Sequence, residues 1–136
     1  MNRITVPLLL IVVLTATALA AEAPNFSGEY ADKNLLNGQA VFQMSLEQSG
    51  NTVSVWFSAG YNDGHGAAPE ANGTGKVNSK GTVEFKFDDS DGNAGTGTIT
   101  HAGNDIVVSI KMTKVRDSGP LAFYREGIRL ARQGKK

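Results

Sequence analysis

Asp63, His65 and Glu70 fall within one short stretch, the only place where an imidazole and carboxylates come together. Such a group can serve as a general base or a metal ligand. A metal would need a second histidine nearby, but His101 lies far along the chain. No serine occupies a nucleophile-elbow pattern, so a Ser-His-Asp assembly lacks its nucleophile. What remains is a contact role. With Trp56 and Tyr61, these three residues form the candidate ligand- or partner-binding set, and a hydrolase built on His65 is the remote alternative.

A second cluster, Asp88, Asp89, Asp91 and Asn93, has the alternating oxygen donors of a calcium loop. Ala94 stands where the turn glycine of such a loop belongs, and Thr100 where the bidentate glutamate belongs. A hairpin tip rich in turn formers explains the same residues. Gly73-Thr74-Gly75 and Gly95-Thr96-Gly97-Thr98 are not phosphate cradles, because neither leads from a strand into a helix. No cofactor and no metal is therefore expected.

These side chains must be held by a core without covalent help. The 136-residue chain contains no cysteine, which excludes a disulfide scaffold, a thiolate metal site and a cysteine nucleophile. Arg3 precedes a mostly apolar run, Ile4 to Leu14, and Ala18-Leu19-Ala20 supplies a small-residue cleavage pattern. That run is about half the length needed to cross a bilayer. Residues 1–20 are thus expected to be a signal peptide and residues 21–136 a single exported domain, periplasmic or secreted, with no membrane insertion after cleavage. Net charge near zero gives no general attraction to nucleic acid.

The charge is unevenly spread. From Lys111 onward there are eight basic residues and two acidic ones, whereas the body before it is acidic. Oppositely charged strands lying side by side would pair much of this charge internally.

Period-two alternation recurs between turn signals. Phe26 to Ala31 reads as a first strand. Ala40 to Glu47 places Phe42, Met44 and Leu46 on one face, and Ser49-Gly50-Asn51 turns the chain into Thr52 to Ala59, with Val53, Val55 and Phe57 inward and Trp56 outward. A long loop, Gly60 to Asn72, precedes a weaker strand from Gly73 to Asn78. Thr82 to Asp88 (Val83, Phe85 and Phe87 inward), Gly95 to His101 and Asp105 to Val115 (Ile106, Val108, Ile110 and Met112 inward) follow. Ser118-Gly119-Pro120 signals a short helix with Leu121 and Tyr124 on one side. Gly127 stops it, and Ile128 to Arg132 forms the last strand, although Leu121 to Gln133 also fits one continuous helical stripe. A covering helix would give the outward Trp56 a partner. The predicted fold is all-β: an eight-stranded antiparallel up-and-down barrel with a short C-terminal helix before the last strand.

Ser27-Gly28-Glu29-Tyr30 resembles the Gly-x-Trp opening of lipocalin- and avidin-like barrels, with Tyr30 in place of the tryptophan. In the lipocalin group a last-strand arginine packs over that ring, which implies that Arg129 or Arg132 covers Tyr30. Avidins enclose biotin with several tryptophans, and this chain has only Trp56, so biotin binding is not implied. Small secreted bacterial barrels, among them periplasmic lysozyme inhibitors, share the outline, and fold alone does not choose between them. The expected function is that of an exported non-enzymatic binding protein, its occupant a small apolar molecule or a secreted protein. An inhibitor of a secreted enzyme such as a lysozyme is the alternative. A carrier requires a hollow apolar barrel, whereas an inhibitor is served by a filled one with a protruding loop.

Overall fold

The computed structural model describes residues 25–134. The expected signal peptide lies outside the described residues. Eight strands form an antiparallel meander: β1 (Gly28–Asn34), β2 (Ala40–Ser49), β3 (Thr52–Tyr61), β4 (Glu70–Val77), β5 (Val83–Asp89), β6 (Ala94–Ala102), β7 (Asp105–Lys114) and β8 (Ile128–Arg132). Each strand pairs with the next, and β8 returns to β1 to close the barrel. The architecture is consistent with a lipocalin-like barrel.

Alternation places the expected residues inside. Phe42, Met44, Val53, Phe57, Val83, Ile106 and Val108 are fully buried, each worth about 1.5–3 kcal/mol as buried apolar surface. The β2–β3 turn shows how register follows: Gly50 takes φ 60° there, so Met44 faces Phe57 and Leu46 faces Val55.

Glycines set the shape of one wall. Phe85 faces Gly75 on one side and Gly97 on the other. A Cβ added to Gly97 would lie 2.3 Å from Cζ of Phe85, and one added to Gly95 would lie 2.7 Å from Cζ of Phe87. The two rings therefore occupy the space that side chains on β6 would take. On β4, a Cβ at Gly73 would meet the Lys86 carbonyl oxygen at 2.1 Å, so the backbones themselves approach closely where the sheet bends.

Both ends of the barrel are plugged. At the end carrying the β2–β3, β4–β5 and β6–β7 turns, Phe26 is fully buried and stacks on His101 at 4.0 Å. Its N–H donates to Gln48 Oε1 at 2.9 Å, and its carbonyl accepts from the Tyr30 hydroxyl at 2.9 Å. Arg132 lies over the Tyr30 ring and donates to the Ser27 carbonyl at 3.0 Å. Arg132 thus takes the expected position over Tyr30, while Arg129 pairs with Asp105 at 3.2 Å.

The opposite end departs from expectation. The helix shrinks to a single 3-10 turn, η1 (Gly119–Ala122), and Ser118 makes no side-chain cap bond. Leu121 is exposed, while Phe123 and Tyr124 are buried. A 3-10 turn repeats every three residues, and η1 ends before Phe123, so the helical stripe predicted from Leu121 does not persist. The first strand is also displaced, to Gly28–Asn34. It leads into a one-turn element, α1 (Leu35–Gly38), in which Leu36 and Asn37 adopt φ 54° and 60°. Met112 packs against the core as expected but is only half-buried.

The acidic hairpin tip works as an internal tie. Asp89 and Asn93 are buried. Oδ2 of Asp89 accepts from the Tyr124 hydroxyl at 2.7 Å and from Asn93 Nδ2 at 3.0 Å. Its Oδ1 accepts the N–H groups of Asp91 and Asn93. Asn93 Oδ1 in turn accepts the N–H groups of Arg116 and Asp117 at 2.7 and 2.9 Å. Of the four residues that suggested a cation loop, Asp89 and Asn93 have their side-chain oxygens engaged by protein donors, whereas Asp88 is exposed.

Candidate functional site

The five residues singled out in sequence separate into two places. Tyr61, Asp63 and His65 meet at the barrel end that carries η1. Trp56 and Glu70 face outward on the wall formed by β3 and β4.

At the barrel end the expected loop, Gly60 to Asn72, contracts to 62–69, because β3 extends to Tyr61 and β4 begins at Glu70. The strands lengthen because Ala59 and Ala71 are buried inward positions, and the Ala59 N–H donates to the Pro69 carbonyl at 3.1 Å. Within the loop, the His65 ring stacks on Tyr61 with centroids 4.3 Å apart, and Nδ1 of His65 contacts Asp63 Oδ1. That hydrogen bond, together with the His65 N–H donated to the same carboxylate, holds Asp63 below its ordinary carboxyl range. Tyr61 also packs against Phe123 at 5.1 Å. Asn62 joins the loop to the β1–β2 connection: its N–H donates to the Gln39 carbonyl at 2.9 Å and its Nδ2 to the Gly38 carbonyl at 2.7 Å. The loop is tied at its two ends, through Asn62 and Pro69, while Asp63 to Gly66 between them are exposed.

Beside it a groove of about 670 Å³ opens between β1 and β8, lined by Asp32, Asn34, Leu35, Leu36, Tyr61, Ile128 and others. The groove exists because β1 and β8 are paired only at Tyr30–Arg132 and Ala31–Ala131. Above that point the two strands diverge. Tyr61 therefore borders both the loop and the groove. Exposed apolar side chains gather on the same connection, with Val115 50% and Leu121 36% accessible.

The barrel interior leaves little room for a guest. The Phe42 and Phe57 rings stack at 5.3 Å, Phe57 meets Phe87 at 4.9 Å, and Tyr124 closes against Phe57 and Phe87 at 6.0 and 5.7 Å. Aromatic contacts thus run across the barrel.

On the wall, Trp56 is half-buried and lies beside Ser45, Glu47, Ser54 and Asn72 in a shallow groove of about 320 Å³. The expected cover by a C-terminal helix does not occur. The residues following η1 turn into the barrel end, where Phe123 and Tyr124 meet Tyr61, Phe57 and Phe87, and Phe57 faces inward, away from Trp56. Glu70 is exposed opposite Ser58, and its backbone exchanges hydrogen bonds with Ser90.

His65 and His101 sit at opposite ends of the barrel, and among the described residues no three histidine or acidic side chains converge on a common point. The expected pairing of charge between strands is also sparse: among the described residues the one lysine- or arginine-to-carboxylate pair is Arg129–Asp105. Sequence reasoning missed the Asn62 clamp and the role of Phe123 at the barrel end. The only local sign of the latter was an aromatic residue adjoining Tyr124 in the stretch read as a short helix.

No protein-family model, curated protein or solved structure matches this chain.

Proposed function

We propose that this chain is an exported, non-enzymatic binding protein, periplasmic or secreted, that grips a protein partner with the barrel end formed by 62–69, Tyr61 and the β1–β8 groove. The observation that carries this reading is the filled barrel. Phe57 is in ring contact with Phe42, Phe87 and Tyr124, and Phe26 is buried at the other end, which favours an external contact surface over an internal guest. The contact surface is then external, and the external feature with both exposed aromatic area and a fixed backbone is the barrel end. Aromatic residues held in place by packing lose little freedom on binding, which favours tight contacts. The likeness to lipocalin-type barrels, carried by Arg132 over Tyr30, belongs to the same reading.

The lack of an enzymatic role rests on His65. Its carboxylate partner Asp63 is exposed, as is His65 itself. The narrower reading, an inhibitor of a secreted enzyme such as a lysozyme, is favoured by the acidic body of the chain before Lys111, which would attract a basic target.

Two measurements test the proposal. Removal of Gly64 to Ala68 should abolish inhibition in a cell-wall lysis assay with lysozyme, or capture of whichever exported protein binds, while leaving the barrel folded by circular dichroism. An apolar fluorescent probe displaced stoichiometrically by a long-chain fatty acid would instead demonstrate an interior guest and overturn the reading. Hydrolysis lost on His65→Ala would overturn the non-enzymatic assignment.

A further inference from the structure

The outer wall carries a feature that the barrel end does not use. Cross-strand register aligns Glu29, Ser45, Trp56, Asn72 and Asp88 in one row over β1 to β5. An indole stands at the centre, a small polar residue flanks it on each side, and a carboxylate terminates the row at each end. Glu29 is held toward the centre, because the Ser45 hydroxyl donates to its Oε1 at 2.6 Å. The adjoining rows add Glu47, opposite Ser54, and Glu70, opposite Ser58. Two basic residues border this set: Lys86, opposite Thr74 on β5, and Arg132, which shares a cleft with Glu29, Ser45 and Glu47 but is turned over Tyr30 and donates to the Ser27 carbonyl.

The wall thus presents one large aromatic face among four carboxylates, with one ammonium and one guanidinium at its borders. Indole is the strongest aromatic partner for a cation, and the surrounding negative field raises the local concentration of positive groups. The side chains next to Trp56 are small, so the ring is bordered by Ser45, Ser54 and Asn72 and not roofed over.

We infer that the row centred on Trp56 is a binding site for an extended basic segment of a partner protein, with an arginine or lysine head group over the indole and neighbouring basic residues on Glu29 and Asp88. Charge complementarity selects this occupant. Strands lie about 4.8 Å apart, so the two carboxylates are separated by about 20 Å, which about six residues of extended chain span. The site is separate from the barrel-end surface, and either can fail without the other.

Trp56 is the only tryptophan of the chain, so its emission reports on the site directly. Titration with hexa-arginine at low ionic strength should change that emission saturably, and added salt should weaken the effect. Glu29→Gln/Asp88→Asn should raise the dissociation constant at least about tenfold, the scale of a lost pair of charge contacts. Glu84→Gln/Asp91→Asn, which removes two charges elsewhere, should have a much smaller effect. Trp56→Ala, followed by calorimetry, should lose binding to a similar degree; if that variant does not fold, the carboxylate pair tests the site in the native background. Removal of Gly64 to Ala68 should leave the titration unchanged. Unaltered emission with hexa-arginine, or equal weakening by both double variants, would overturn the inference. So would a saturable response to a neutral chitin oligosaccharide in place of hexa-arginine, which would make the wall a sugar platform.

Discussion

The Tyr124 hydroxyl donates to Oδ2 of Asp89 at 2.7 Å, linking the β5–β6 hairpin to the connection before β8. Both residues are buried, so the bond fixes the plug at the end of the barrel. Burial alone would raise the Asp89 carboxyl, but the Tyr124 hydroxyl and the Asn93 and Asp91 donors outweigh it and hold it below the ordinary range. Burial and the neighbouring Asp89 carboxylate raise the Tyr124 hydroxyl, which stays protonated as the donor.

A depressed folded pKa means that the native state favours the charged carboxylate. Its contribution is present in full above the unfolded value and is lost as the pH falls through the folded one. Asp89→Asn is expected to cost about 1–3 kcal/mol at neutral pH, and the gap from the native protein should narrow in acid. Urea unfolding of both proteins between neutral pH and the acid range measures this directly. A gap that stays constant would show that Asp89 is not held as the anion.

Arg132 and Arg129 should differ despite being neighbours on one strand. Arg132 covers Tyr30 with its guanidinium carbon 5.8 Å from the ring centroid and also donates to Ser27. Arg132→Ala is expected to cost about 1 kcal/mol. The Arg129–Asp105 pair is exposed on the arginine side, so Arg129→Ala should cost about 0–1 kcal/mol and sit at the lower end of that range in high salt. Chemical denaturation at two salt concentrations separates the two.

Phe85 and Gly97 should be energetically coupled. Gly97→Ala forces a methyl group into the space of the Phe85 ring and is expected to cost about 1–3 kcal/mol by overpacking. Phe85→Ala should cost about 3–5 kcal/mol, whereas Lys86→Ala, on the exposed face, should stay within about 0.5 kcal/mol. The double variant Gly97→Ala/Phe85→Ala should cost less than the two singles together, since the added methyl fills part of the vacated space. Additive losses would mean that the ring does not lie over Gly97.

The barrel-end loop can be locked from outside. A Cβ added to Gly119 would lie 3.2 Å from Cβ of Ala67, slightly inside the usual disulfide separation of about 3.5–4.5 Å. Ala67→Cys/Gly119→Cys should therefore form a bridge after a small shift and raise stability by about 2–4 kcal/mol. The gain should vanish on adding a reductant. Thiol titration and paired melts with and without reductant give the result, and failure to oxidise would place the loop farther from η1 than described.

The inside and outside faces of nearly every strand were legible in the chain, because a period of two is a local property. Phe42, Met44 and Leu46, or Val83, Phe85 and Phe87, declare their face by spacing alone. The turn at Gly50 and the cost of leaving strand edges open then point to a closed barrel, and the resemblance of the first strand narrows the partner of Tyr30 to Arg129 or Arg132, between which the structure chose Arg132. The tertiary structure decided what spacing does not encode. Asp89 and Asn93 look like solvated turn residues until Tyr124 and the Arg116–Asp117 backbone arrive from the far side of the chain. The contraction of the loop depends on Ala59 meeting Pro69, and the plug depends on which of Leu121, Phe123 and Tyr124 the 3-10 turn directs inward. The row through Trp56 exists only once five strands are in register, since its members share no sequence spacing. Local alternation chooses a face, but closure of the barrel chooses which distant residues stand side by side on it.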